Sequence, residues 1–192
     1  MIEPLPRAFF DRNAAEVAPE VIGCLLVRRD GDTLRVGRIV EAEAYVGEHD
    51  RACHARAGRT ARTAPMYERP GHAYVYFIYG VHEMLNAVCG PGGHPSAVLI
   101  RAAEPIANLA HSGTGPGNVT KAFRIEMRHN RSDLCDPRSE LFIAPRRPGD
   151  QPRLWQGPRV GVQYSGPRWM KARLRFCDRD SPHLSRPGPA RR

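Results

Sequence analysis

The sequence predicts a single α+β domain: a mixed fold with a largely antiparallel, curved β-sheet, flanking short helices and a protruding β-hairpin. Three observations carry this prediction. The chain has 192 residues, 41% of them hydrophobic, which suits one core at the usual domain size of ~100–200 residues. Its apolar runs are short and joined by turn signals, so sequential hairpins outnumber helix crossovers. No internal repeat or interdomain linker interrupts residues 1–180, which are expected to fold together.

Over residues 11–24, Ala15, Val17, Val21 and Ile22 recur at helical spacing, with Pro19 as a bend. Residues 24–27 and 34–45 flank Asp30-Gly31-Asp32, a hairpin signal that makes them antiparallel strands. Residues 47–70 carry Arg51, Arg56, Arg59, Arg62 and Arg69 among few apolar residues, and read as a long basic surface loop of the kind that is usually functional or disordered. After Pro70-Gly71 the aromatic, β-branched stretch 74–79 reads as a strand, and Gly80 turns the chain into 84–89 to make a second hairpin. Residues 96–102, a nearly continuous apolar run ending in Arg101-Ala102, are expected to form a buried strand. A glycine-rich loop at 113–118 leads into a short helix over 120–127; with no strand before it, the loop is not a dinucleotide fingerprint. Residues 141–144, 159–163 and 173–176 read as further short strands, and the Pro/Arg-rich stretch 181–192 as a flexible tail.

Composition narrows the function. There are 29 basic and 20 acidic residues, a net charge of +9 at pH 7, which favours a polyanionic partner. Only Lys121 and Lys171 are lysines. No apolar run approaches the ~18 residues of a membrane span, and the amino end lacks a signal-peptide layout, so a soluble protein is expected, with no membrane partner. Five widely spaced cysteines without a C-x-x-C pair point to free thiols in a reducing compartment. His82-Glu83 begins like a zinc-binding H-E-x-x-H, but Asn86 stands where the second histidine belongs. Neither a metal nor a cofactor is expected.

The candidate chemistry lies in two strands. In residues 38–45 a period of two puts Glu41, Glu43 and Tyr45 on one face. Carboxylates inside such a strand face solvent, pair with nearby arginines, or serve as a catalytic base. In the second hairpin, Tyr74, Tyr76 and Tyr79 fall within six residues. Tyrosines interleaved with arginines can stack on a nucleobase, and a bulky side chain at a hairpin tip can wedge between base steps.

Taken together, Gly37-Arg-Ile-Val-Glu-Ala-Glu-Ala-Tyr45, His54, Pro70-Gly-His-Ala-Tyr-Val-Tyr-Phe-Ile-Tyr-Gly80, Asn86 and Val98-Leu-Ile-Arg-Ala-Ala-Glu-Pro105 resemble the alkyladenine (3-methyladenine) DNA glycosylase family of base-excision repair. The resemblance covers about residues 8–177, including Gly115-Pro116-Gly117 and Arg159-Val160-Gly161-Val162. It implies an enzyme that flips an alkylated or deaminated purine out of duplex DNA and hydrolyses its N-glycosidic bond without cutting the strand. Glu43 corresponds to the general base that activates water, and Arg101 to the arginine that helps hold that water. Tyr45, His54 and Tyr76 match positions that stack the extruded base, and Asn86 the position that crowds the exocyclic amine of guanine. Tyr79 matches the tyrosine intercalated into the gap left in the DNA.

The resemblance further implies a monomer that acts on double-stranded DNA containing damaged purines, and a cytoplasmic, nucleoid-associated or otherwise intracellular location with DNA. Where the family usually continues Gly115-Pro116-Gly117 with lysine, leucine and threonine, this chain has Asn118, Val119 and Thr120, so one phosphate contact is missing unless Lys121 or Arg124 replaces it. A non-catalytic damaged-DNA binding module is the alternative reading, since the same arginines and aromatics would bind without chemistry.

Overall fold

A computed structural model describes residues 2–78, 80 and 82–185 of the chain. Its frame is one antiparallel sheet of nine strands: β1 (Leu25–Asp30), β2 (Thr33–Tyr45), β3 (Ala73–Ile78), β4 (His82–Cys89), β5 (Ser96–Ala107), β6 (Gly113–Thr114), β7 (Leu141–Ala144), β8 (Leu154–Gly157) and β9 (Arg175–Asp178). The main path runs β3-β4-β5-β2-β1-β7. The long β2 organises it: β5 pairs along one edge, while β1 and then β9 share the other. The turn from β1 to β2 is closed by Gly31 at φ +58°, the left-handed conformation that a two-residue hairpin loop needs.

Four short helices cover the sheet, α1 (Arg7–Phe10), α2 (Ala14–Glu20), α3 (Pro116–Phe123) and α4 (Pro167–Lys171). The helix predicted over 11–24 is thus shortened to α2, with Asn13 capping it by accepting the Ala15 N–H at 2.9 Å and Pro19 in its last turn. Val17 and Ala18 of α2 and Val119, Ala122 and Phe123 of α3 pack against Ile39, Ala42, Ala44, Val75, Leu85 and Ile100 as the main core. A second cluster of Cys53, Met66, Tyr74, Val88 and Ala97 lies on the opposite face, with Tyr45 and Tyr76 packed against it. Along β3 the residues alternate between the two, as Ala73, Tyr74 and Val75 do.

Several elements differ from the sequence reading for local reasons. The helix expected at 120–127 is α3; it begins with Pro116 after Gly115, the favoured first helical position for proline, and stops at Arg124 in a left-handed conformation, φ 53°. Strand β5 continues past residue 102 to Ala107, and Pro105 is tolerated beside a register shift at Val36/Gly37. Residues 159–163 are not a strand: the Arg159 guanidinium is engaged by Asp50 and the Val160 N–H by Glu43. The strand in this region is β8, which pairs with β9. The stretch 47–70 keeps its five arginines exposed, but Asp50, Ala52, Cys53, Ala55, Thr63 and Met66 are buried and two 3-10 turns fold it (His54–Ala57 and Ala64–Tyr67). Of the stretch expected to form a flexible tail from residue 181, Ser181 and Ser185 are buried and Ser185 is hydrogen-bonded to Glu41; residues 186–192 lie outside the described residues.

The packing makes one position on β2 intolerant of a side chain. A Cβ at Gly37 would sit 2.8 Å from Cζ of fully buried Phe123 and 3.0 Å from the Glu104 carbonyl oxygen, whereas one at Gly92 meets nothing within 4 Å. Gly37→Ala is therefore expected to lower stability by about 1–3 kcal/mol in urea unfolding, through overpacking. Gly92→Ala should stay within about 0.5 kcal/mol of the parent.

Candidate active site

Two irregularities in the β2–β5 pairing decide what faces what. Ile39 pairs with Ala103 but Glu41 with Ala102, leaving Val40 as an extra residue; Ala42 then pairs with Ile100, leaving Arg101 extra on β5. Bulges of this kind re-aim side chains. With a strict period of two, Ile39 and Glu41 would share a face. Instead Ile39, Ala42 and Ala44 join the main core, and Glu41, Glu43 and Tyr45 point to the other side together with Arg101.

There a buried charge cluster forms. Glu43 is fully buried; its Oε1 accepts the Val160 N–H at 2.7 Å, and its Oε2 accepts the Tyr45 hydroxyl at 3.0 Å and Arg101 Nη1 at 3.3 Å. Glu41, equally buried, accepts Arg101 Nε at 2.9 Å, Arg175 Nε at 2.8 Å, and the Ser185 N–H and hydroxyl, both at 2.7 Å. Burial raises the Glu43 carboxyl above its ordinary range despite the opposing pull of Arg101 and the Val160 N–H. Burial alone would lower the Arg101 guanidinium, but Glu43 and Glu41 outweigh it and raise it. A carboxylate offers about four lone-pair sites, and the described residues fill three on Glu43, so one acceptor position remains.

Beside this cluster opens a cavity of about 280 Å³ whose walls include Tyr45, His54, Tyr76, Asn86 and Arg101. The His54 and Tyr76 rings meet edge to face at 4.5 Å, and Tyr74 lies 5.3 Å from Tyr76. His54 Nδ1 and the Tyr74 hydroxyl share a hydrogen bond of 3.1 Å. Burial, with Arg62 nearby, pushes the His54 ring down to about 4, and burial raises the Tyr45, Tyr74 and Tyr76 hydroxyls. At neutral pH the aromatic wall is uncharged. Asn86 is fixed by its Nδ2 donating to the Tyr74 carbonyl at 3.1 Å.

The loop 47–70 is anchored by one internal ion pair. Asp50 and Arg159 are both fully buried, with Nη2 to Oδ1 at 2.8 Å. Arg159 also donates to the Ala44 carbonyl at 2.9 Å and stacks 4.7 Å from the Tyr45 ring centroid. The cation thus ties the loop to β2 and supports Tyr45 from behind.

Of the residues singled out in the sequence, Glu43, Arg101, Tyr45, His54, Tyr76 and Asn86 come together here; Glu43 itself stands behind the wall that Tyr45, Arg101 and Val160 form. Tyr79 lies outside the described residues. Arg124, a candidate phosphate contact, pairs with Asp30 at 3.2 Å. Asp50, Arg159, Val160 and Ser185 were missed as site residues. The block Arg159-Val160-Gly161-Val162 was the available signal for two of them; for Asp50 and Ser185 the sequence offers none.

A family model described as methylpurine-DNA glycosylase matches residues 8–182. A protein of Anaeromyxobacter dehalogenans (strain 2CP-C) named "Putative 3-methyladenine DNA glycosylase" is 50% identical over 186 residues, 96% of this chain and 88% of its own. Proteins of the same name from Myxococcus xanthus and from Legionella pneumophila (strain Lens) are 47% and 45% identical, covering 98% and 95% of this chain and 97% and 98% of their own lengths.

Two outcomes test the electrostatics. Because the folded His54 ring is held near 4 while an unperturbed ring titrates near ~6.5, its NMR signals should stay those of neutral imidazole from pH 8 to 5. The sign for stability follows: the unfolded chain takes up this proton first, so the His54 contribution, full above about 6.5, drains away as pH falls toward 4. A ring midpoint above 6 would contradict the arrangement. Separately, Asp50→Ala leaves Arg159 buried without its carboxylate and should lower unfolding stability by about 3–5 kcal/mol.

Proposed function

Since the chain belongs to the methylpurine-DNA glycosylase family, we propose that it is a monofunctional DNA glycosylase that extrudes an alkylated or deaminated purine from duplex DNA and hydrolyses its N-glycosidic bond, leaving an abasic site for base-excision repair. The observation that carries this reading is a buried carboxylate with one acceptor site left, set directly behind a cavity with an uncharged aromatic wall.

A base inside a duplex cannot reach such a cavity, so it must be flipped, at a few kcal/mol that are least for a damaged or mismatched pair. Tyr45, His54 and Tyr76 would sandwich it, and Asn86, held by its bond to Tyr74, would crowd the exocyclic amine of an undamaged guanine. Breaking the glycosidic bond puts oxocarbenium character on the sugar. Glu43 then has two tasks, to stabilise that charge and to take a proton from the attacking water. Its raised carboxyl makes it a stronger base than an exposed glutamate, and Arg101 beside it offers further N–H donors to hold the water.

The leaving group divides the substrates. A purine cationic through alkylation departs without help, whereas hypoxanthine needs a proton. His54, pushed down to about 4, is neutral at physiological pH and does not supply one, which leaves water as the donor and favours cationic lesions. Lys121 and Lys171 are exposed and lie on α3 and α4, not on the cavity wall, which supports hydrolysis by water over a Schiff-base route. The partner is double-stranded DNA, toward which the exposed arginines of residues 47–70 are candidate phosphate contacts, and the site of action is intracellular, where DNA is.

The test is base release from a duplex with one methylated purine or one hypoxanthine, read by alkaline cleavage of the abasic site. The parent should release the base. Glu43→Gln should bind the lesion duplex as the parent does while excision falls at least about 100-fold, as for loss of a general base. Tight, salt-sensitive binding without release from any lesion would point to the binding module instead.

A further inference from the structure

We infer that Glu41 and Ser185 are positioning residues for this reaction: they hold the Arg101 guanidinium shared between two carboxylates, so that Glu43 keeps an acceptor site for water. The inference rests on the glycosylase reading and extends it to a second carboxylate and to the segment following β9, neither of which touches the cavity.

The geometry is specific. Arg101 uses Nε on Glu41 at 2.9 Å, Nη1 on Glu43 at 3.3 Å and Nη2 on the Ser185 hydroxyl oxygen at 3.1 Å. Its shorter carboxylate contact is therefore with Glu41. A guanidinium facing a single carboxylate closes into a bidentate pair, which on Glu43 would fill the last acceptor site and neutralise the base. Glu41 prevents this by competing for Arg101. Ser185 fixes Glu41 in turn, its N–H and hydroxyl each donating to the carboxylate at 2.7 Å, while Arg175 donates from β9 at 2.8 Å. A buried charged group is a poor device for stability alone, because well-packed apolar residues do as well or better.

The groups around Glu43 come from every side: Glu41 and Tyr45 on β2, Arg101 on β5, Tyr76 on β3, the Val160 N–H and Arg159 after β8, and Arg175 through Glu41 from β9. Only Glu41 is a second carboxylate among them. Its charge raises the Glu43 carboxyl directly, and its hold on Arg101 does so again.

The experiment is single-turnover release of 7-methylguanine, a base already cationic and in need of no acid, between pH 5 and 8. Parent, Glu41→Gln and Ser185→Ala are compared, with lesion-duplex affinity and thermal melting measured alongside. Glu41→Gln should bind within about twofold of the parent, lose about tenfold or more in rate, and shift the acid limb of its pH profile to lower pH, as Arg101 settles on Glu43. Ser185→Ala keeps the backbone N–H bond and should fold; it should lose about threefold to tenfold, with its acid limb shifted to higher pH as Arg101 is drawn toward Glu41. Parent-like rates and unmoved limbs in both variants, or losses that follow melting alone with the limb unmoved, would overturn the inference. If Glu41→Gln does not fold, Ser185→Ala decides it by the same limb. A parent that releases none of 7-methylguanine, 3-methyladenine or hypoxanthine overturns the glycosylase reading instead.

Discussion

The interaction on which the rest of this structure depends is the packing of two glutamates and two arginines into a site where none of the four side chains is more than 8% exposed. Charges taken out of water are tolerated only when paired and hydrogen-bonded, and here that condition draws in β2, β5, β9, the segment after β8 and the segment reaching Ser185. Two long strands carry the pairing, and the short ones exist partly to close it. β9 is only four residues long, yet it brings Arg175 opposite Glu43 in register and its guanidinium onto Glu41.

The same constraint explains the bulges. A regular β2–β5 ladder would put Ile39 on the face of Glu41 and Glu43, and either an apolar side chain would enter the charge cluster or a carboxylate would enter the core. Leaving Val40 and Arg101 extra resets the phase within three residues. The main core keeps its aliphatic lining, and the opposite face gains three acid–base groups and an arginine without a break in the sheet. Loop 47–70 then has a defined place to dock, because Asp50 meets Arg159 behind Tyr45.

Much of this was legible in the sequence, and the limits are physical. Hairpins announced by Asp30-Gly31-Asp32 and by the tyrosine-rich strand were readable because turn chemistry and alternation are local. The gathering of Glu43, Arg101, Tyr45, His54, Tyr76 and Asn86 was readable only as a joint pattern across the chain. Residues 159–163 read as a strand because Val160 and Val162 alternate with polar neighbours; what they do instead, donating to buried carboxylates, depends on partners more than a hundred positions away. Residues 47–70 read as surface because charge count hides burial: the arginines point out, while Asp50 and Met66 point in. Ser185 was unreadable in principle, since one serine in a Pro/Arg-rich stretch has no pattern to mark it.

A general base must be ionised to act and basic enough to matter, and burial serves only the second requirement. Left alone in this site, Glu43 would be driven toward its protonated form by burial and could not serve as the general base proposed for it. Paired fully with Arg101, it would stay ionised but become a poor base with no room for water. Sharing one guanidinium between two carboxylates lies between these extremes: the contact to Glu43 is long at 3.3 Å, the Val160 N–H holds the other oxygen at 2.7 Å, and both oppose the rise that burial imposes on the carboxyl. The aromatic wall completes the logic. With His54 neutral and the tyrosine hydroxyls raised, these rings add no charge of their own, so in the proposed reaction the field at the glycosidic bond depends on where Arg101 sits between Glu41 and Glu43.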